Sequence, residues 1–157
     1  MRLGATVAVI IPALDEEDAI GRVVSSIPTW LDDVIVVDNG SRDRTAAVAS
    51  ASGARVLYEP TMGYGAACLK GIAQLRNPDV VAFLDGDFSD SPEEMHLLVD
   101  PIAEDKADLV LGSRILGHRE RGSVTLQARL GNKLACALIA RFWGIRYTDL
   151  GPFRAIS

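Results

Sequence analysis

Val80-Val81-Ala82-Phe83-Leu84-Asp85-Gly86-Asp87 is an apolar run that stops abruptly at two carboxylates separated by one glycine. Five consecutive apolar residues, two of them β-branched, are too few for a free-standing helix and suit a strand buried on both faces of a parallel sheet. The two acids then stand at the strand's carboxyl end, where open α/β sheets form their ligand crevice. Residues i and i+2 of an extended segment project to the same side, so Asp85 and Asp87 would face one ligand together. Gly86 between them is expected to let the backbone turn tightly and the ligand come close. Two like charges held side by side call for a cation, and a hard divalent ion shared with substrate phosphates, Mg²⁺ or Mn²⁺, meets that need with oxygen ligands. Taken alone, the triplet also reads as a solvated turn that caps the strand.

The flanking sequence repeats the same pattern. Thr6 to Ile11 reads as a first buried strand ending at Pro12-Ala13-Leu14, followed by a helix with Ile20, Val23, Val24 and Ile27 on one stripe and acids in its first turn. Asp33 to Val37 reads as a second strand that delivers Asp38-Asn39-Gly40-Ser41, before an alanine-rich helix from about Arg44 to Ala51. Arg55 to Tyr58 is a third strand; Met62-Gly63-Tyr64-Gly65 then leads into a helix carrying Ala66, Leu69, Ile72 and Ala73 on one side. After the acid pair, Ser91-Pro92-Glu93-Glu94 has the form of a capping box, for a helix burying Met95, Leu98, Val99 and Ile102. Leu109 to Leu111 is a strand leading to Gly112-Ser113-Arg114, His118 to Val124 a mobile loop, Leu126 to Phe142 a long helix, and the stretch from Phe153 a last strand. The β-α alternation predicts an α/β fold: a Rossmann-like, mainly parallel sheet with right-handed crossovers and helices on both faces.

Composition narrows the classes. With 157 residues, 48% of them hydrophobic, the chain can bury a full core, and disorder is excluded. Cys68 and Cys136 form no CxxC pair, so neither a disulfide framework nor a zinc site is indicated. Pro12 and the acids behind it argue against a signal peptide, and no apolar stretch approaches the roughly 20 residues of a membrane span. The net charge of -5 conceals a split. Residues 1–112 hold 8 Lys/Arg and 19 Asp/Glu, whereas residues 113–146 hold 7 Lys/Arg against Glu120 alone. Such a segment points either to a localised anionic partner or to a solvated basic surface, and not to general nucleic-acid binding.

Five motifs stand in register: Val9-Ile10-Ile11-Pro12-Ala13-Leu14-Asp15-Glu16-Glu17, Val36-Val37-Asp38-Asn39-Gly40-Ser41, Gly63-Tyr64-Gly65-Ala66-Ala67, Asp85-Gly86-Asp87 and Gly112-Ser113-Arg114. In this order they resemble the family 2 glycosyltransferases of GT-A fold, and within them the dolichol-phosphate or polyprenyl-phosphate hexosyltransferases. The resemblance runs from about residue 7 to the C-terminus. It implies one GT-A catalytic domain over residues 1–157, cut short at its C-terminal end, and a cytoplasmic protein or one peripheral to the cytoplasmic face of a membrane.

It further implies a GDP- or UDP-hexose donor whose base and ribose are held by Pro12, Ala13, Glu16 and Asp38. The diphosphate would be held by Asp85, Asp87 and the divalent ion, with Ser89 as a further, weaker ligand where the family often has Gln or His. Arg114 and Arg129 match positions implied to hold an acceptor phosphate, and bidentate guanidinium contacts suit that role; Arg129 also reads as a solvated helix residue. Glu16, and more so Glu17, also reads as an acid compensating a helix dipole. Met62 stands where the family's glycine loop commonly begins with Asn. A nucleotidyltransferase would want a basic, glycine-rich loop after the first strand, where this chain is acidic. A dinucleotide-binding dehydrogenase would want its glycines there too, with a third at the expected spacing. A nucleotide-sugar-binding domain without turnover is the alternative that keeps the same pocket.

Overall fold

The computed structural model describes residues 1–113, 136–142, 144, 147 and 150–157. Two compact units are distinguished: Met1–Val110 together with Phe153–Ser157, and Leu111–Pro152. In the second unit, residues 136–142 are helical, as expected of the long helix over its last turns. The rest of that predicted helix, the loop from His118 to Val124, and both Arg114 and Arg129 lie outside the described residues.

The first unit is built on strands β1 (Val7–Ala13), β2 (Asp33–Asp38), β3 (Arg55–Tyr58), β4 (Val80–Phe83), β5 (Leu109–Leu111) and β6 (Arg154–Ile156), in the spatial order β3-β2-β1-β4-β6-β5. The β1–β2, β1–β4 and β2–β3 pairs are parallel, while β6 enters antiparallel beside β4 with Arg154 opposite Phe83. The helices are α1 (Ile20–Ser25), α2 (Thr45–Ala51), α3 (Tyr64–Ile72) and α4 (His96–Ala103). All seven residues of β1 are buried, as a central strand covered on both faces requires. Alternation along the strands divides the core. Val9, Ile11, Val36, Ala82 and Leu84 meet α1 and α4 residues such as Val23 and Val99, whereas Ile10, Ile35, Val37 and Phe83 meet Ala67 and Cys68 of α3.

Three local expectations are corrected. Helix α3 turns Ala67, Cys68 and Gly71 inward and leaves Leu69 68% exposed and Ile72 44% exposed. The reason is close approach: a Cβ at Gly71 would stand 2.6 Å from Ile10 Cγ2, so the helix lies on β1 along its smallest residues. The acids after β1 do not occupy the first turn of α1, which starts at Ile20 and holds none; they lie in the loop before it. At Ser91 no side-chain cap forms. The chain makes a 3₁₀ turn over Pro92–Met95, with the Glu94 N–H donating to the Ser91 carbonyl at 3.0 Å, before α4 begins. The predicted inward face of that helix is found, with Met95, Leu98, Val99 and Ile102 all buried.

Candidate active site

Parallel pairing sets the ends of β1, β2 and β4 side by side. Ala13 is in register with Asp38, and Ile10 with Phe83, so all three strands release their chains at one edge of the sheet. A cavity of about 640 Å³ opens there, within the usual range for small-molecule sites. Pro12, Ala13, Leu14 and Glu16 line it from β1, Asn39 from β2, Met62, Gly63 and Tyr64 from the start of α3, and Asp85, Gly86 and Asp87 from the end of β4.

The loop after β1 is fastened to the loop after β2 by three consecutive backbone amides. The Asp15 N–H donates to Ser41 Oγ at 3.0 Å, that of Glu16 to Thr45 Oγ1 at 2.8 Å and that of Glu17 to Asp43 Oδ2 at 3.0 Å. The bonds are returned by the Arg42 N–H to Asp15 Oδ1 at 2.7 Å and the Arg44 N–H to Glu17 Oε2 at 3.0 Å. Glu17 is thus a loop fastener. The Glu16 carboxyl faces the cavity, and burial, reinforced by the charges of Asp87, Asp43, Asp85 and Asp15, raises its pKa above the ordinary glutamate value. The folded protein therefore holds that proton more tightly than the unfolded chain. The associated stability is present at low pH and is lost as pH rises through the folded-state value. Glu16→Gln should melt above the wild-type apoprotein at neutral pH, with the gain vanishing near pH ~4, in thermal unfolding across a pH series. An unchanged gap at all pH values would separate the effect from titration.

Asp38 and Ser89 do not line the cavity. The Asp38 carboxylate is buried, and its Oδ1 accepts the Ser41 N–H at 3.0 Å, which shapes the loop that receives Asp15. Its neighbour Asn39, a motif residue to which local sequence gives no role, ties the site together. Asn39 Nδ2 donates to the carbonyls of Glu59 at 2.9 Å and Thr61 at 2.7 Å, and Oδ1 accepts the Gly63 N–H at 2.7 Å. Gly63 takes φ of 129°, which only glycine adopts readily. Tyr64 is the second residue left without a role. Burial, with the nearby charge of Asp85, pushes its phenol well above the ordinary tyrosine range, so the hydroxyl stays protonated and able to donate a hydrogen bond.

Asp85 and Asp87 come together in the cavity wall. One oxygen of Asp87, Oδ1, accepts the Ser89 N–H at 2.8 Å. Gly86 does not take a left-handed φ, and a Cβ there would stand 3.4 Å from Ala13 Cβ and from the Pro12 carbonyl. The left-handed residue of the turn is Phe88, with φ of 64°. Among the described residues no group of three or more His, Cys, Asp or Glu side chains could hold a metal ion by itself. The donor set nevertheless fits Mg²⁺ or Mn²⁺. It offers two carboxylates at i and i+2, all-oxygen ligands, and an excess of negative charge felt at Glu16, leaving positions for phosphate oxygens and water.

The sequence profile of the glycosyl transferase family 2 domain matches residues 8–155. The chain belongs to glycosyl transferase family 2. Among family 2 relatives, it is 31% identical over 153 residues to the low-salt glycan biosynthesis hexosyltransferase Agl6 of Haloferax volcanii, covering 94% of this chain and 37% of that protein. It is 27% identical over 144 residues to the UDP-N-acetylglucosamine–dolichyl-phosphate N-acetylglucosaminyltransferase of Methanococcus voltae, covering 78% of this chain and 57% of that protein. Glucosyl-3-phosphoglycerate synthase of Mycobacterium tuberculosis, crystallised with Mn²⁺, UDP-glucose and phosphoglyceric acid, superposes with a TM-score of 0.77 at 31% identity, over 98% of this chain and 57% of that one. The fold is GT-A, and the chain spans between 37% and 57% of the length of these three relatives.

Proposed function

We propose that this domain binds a nucleoside diphosphate hexose and takes part in inverting transfer of the hexose to a polyprenyl phosphate. The observation that carries the reading is the pair Asp85 and Asp87 set together in a cavity at the carboxyl ends of the parallel strands. Pro12, Ala13 and Glu16, which line the cavity, are assigned to the base and ribose, with the Glu16 carboxyl as a hydrogen-bonding group, and Asp38 acts on the same nucleotide through the loop it shapes. Asp85 and Asp87, with Ser89 beside them, would hold the divalent ion. When bound, that ion supplies charge neutralisation for the departing nucleoside diphosphate. An acceptor phosphate is already ionised at neutral pH, so it needs orientation more than a general base. Arg114 and Arg129, in the basic stretch of the sequence, are assigned that task. No helix among the described residues is long and apolar enough to cross a membrane. A lipid acceptor would present its phosphate at a membrane surface, where the basic stretch would face anionic headgroups.

The dolichyl-phosphate relative supports the lipid acceptor, while the phosphoglycerate complex of the structural neighbour favours a second reading with a small phosphorylated acid as acceptor. Both acceptors present a phosphate. The test incubates the whole chain with UDP-glucose, UDP-N-acetylglucosamine or GDP-mannose, with Mn²⁺ or chelator, and with polyprenyl phosphate, 3-phosphoglycerate or neither. Metal-dependent release of nucleoside diphosphate stimulated by the polyprenyl phosphate is expected. Stimulation by phosphoglycerate alone would replace the acceptor, and tight donor binding without release in any mixture would assign a nucleotide-sugar-binding domain without turnover.

A further inference from the structure

Phe88 follows the acid pair directly and adopts φ of 64°. A residue with a large side chain avoids this left-handed region because its Cβ crowds the following carbonyl, whereas glycine enters it freely. Burial does not explain the aromatic ring, since Phe88 is 39% exposed. Its partner is the guanidinium of Arg22, whose Cζ lies 5.0 Å from the ring centroid, within cation–π range. Arg22 belongs to α1, the helix that follows the Glu16 loop. On the other side of Phe88, the Ser89 N–H closes a turn onto Asp87 Oδ1 at 2.8 Å. The strained residue therefore sits inside the hydrogen-bonded turn that orients the Asp87 carboxylate, and its side chain is anchored to a neighbouring element. Strain of this kind persists where the surroundings hold it, and it concentrates at functional sites.

We propose that Phe88 is a positioning residue: stacked on Arg22, it holds the Asp87–Ser89 turn in one conformation and so sets the direction of the Asp87 carboxylate toward the metal-bound diphosphate. The inference rests on the reading of Asp87 as a metal ligand. A merely structural Phe88 and a positioning Phe88 differ in what glycine does there. Phe88→Gly relieves the backbone and removes the anchor, so the turn samples other conformations without loss of the fold.

The experiment compares wild type, Phe88→Gly, Phe88→Tyr, Arg22→Ala and the Phe88→Gly/Arg22→Ala pair. Thermal unfolding is measured for each apoprotein, and UDP binding by calorimetry with Mn²⁺ and with excess chelator. Phe88→Gly should melt at or above the wild-type temperature yet bind UDP about 5–10-fold more weakly with Mn²⁺, with no change in chelator. Arg22→Ala should lose about 2–5-fold in the same condition. The double variant should be no weaker than Phe88→Gly alone, because both remove one interaction. Phe88→Tyr keeps the ring and should retain wild-type affinity. Wild-type affinity of Phe88→Gly with Mn²⁺, equal losses with and without metal, or additive losses in the double variant would each overturn the proposal while leaving the metal site standing. Absence of metal dependence in the wild type would remove the metal reading and this inference together.

Discussion

Asp87→Asn should weaken the metal-dependent binding of nucleoside diphosphate and lower any transfer that depends on it by about 10²–10³-fold, the range found in turnover when one preorganised electrostatic partner is lost from a site. The substitution keeps shape and retains an oxygen able to accept the Ser89 N–H, so the turn survives while the charge does not. What would be lost is the second carboxylate of the pair proposed to hold a hard cation shared with phosphate. The apoprotein should respond in the opposite sense. Asp87 is the largest charge contribution raising the pKa of Glu16, after burial. Its removal brings the Glu16 value back toward normal, which lessens the stability lost when Glu16 ionises at rising pH. Asp87→Asn should therefore melt at or above the wild-type apoprotein at neutral pH. Loss of affinity with a gain in apo stability marks a functional acid; calorimetry giving the same wild-type affinity in Mn²⁺ and in excess chelator would take the metal out of the site altogether.

The same opposition explains why the acid pair was legible from sequence. Val80 to Leu84 carries no polar residue, so two carboxylates at its end could only be a turn or a site, and the parallel register of β1, β2 and β4 brought the ends of the three strands to one cavity. Strands read well for this reason: an apolar run of this length has few other solutions. The inward face of α4 was equally legible, because Met95, Leu98, Val99 and Ile102 are large and spaced at the helical period.

Helix α3 was not, because its contact with the sheet is made by small residues. Hydrophobic periodicity favours Leu69 and Ile72, but the virtual contact of Gly71 with Ile10 leaves no room for a side chain of that size. The ordering of the two acidic loops was hidden for another reason. Backbone amides of Asp15, Glu16 and Glu17 pair with side chains about 26 to 29 residues away, and nothing in local spacing predicts partners at that range. Reading Glu17 as a helix-dipole compensator was the local solution, and tertiary pairing of its carboxylate with Arg44 replaced it. Phe88 was invisible for a related reason, since sequence suggests glycine wherever a left-handed turn is wanted, and Gly86 stood two residues away.

Asn39→Ala should produce the largest loss of fold stability among single changes at the site, about 2–4 kcal/mol, equivalent to a fall of roughly 5–15 °C in melting temperature for a domain of this size. Asn39 is 5% exposed and uses its whole amide: two N–H donors satisfy the carbonyls of Glu59 and Thr61, and its oxygen takes the Gly63 N–H. Alanine strands those three backbone groups, each costing about 1–3 kcal/mol where water cannot replace the bond. The chain from Pro60 to Gly63 is exposed, so water recovers part of the loss and the estimate falls below the simple sum. Asn39→Asp is the sharper variant. It keeps an acceptor for the Gly63 amide but removes both donors and turns a carboxylate toward two carbonyl oxygens, so it should be at least as destabilising as alanine. The effect must reach the ligand as well, because Met62 and Gly63 form one wall of the cavity and the Asn39 side chain ties their loop to the end of β2. Nucleotide affinity should fall with stability, and amide hydrogen exchange at Gly63 should accelerate before global unfolding. A melting temperature within about 1 °C of wild type, with Gly63 exchange unchanged, would mean that the loop is held by other contacts and that Asn39 does not organise the wall.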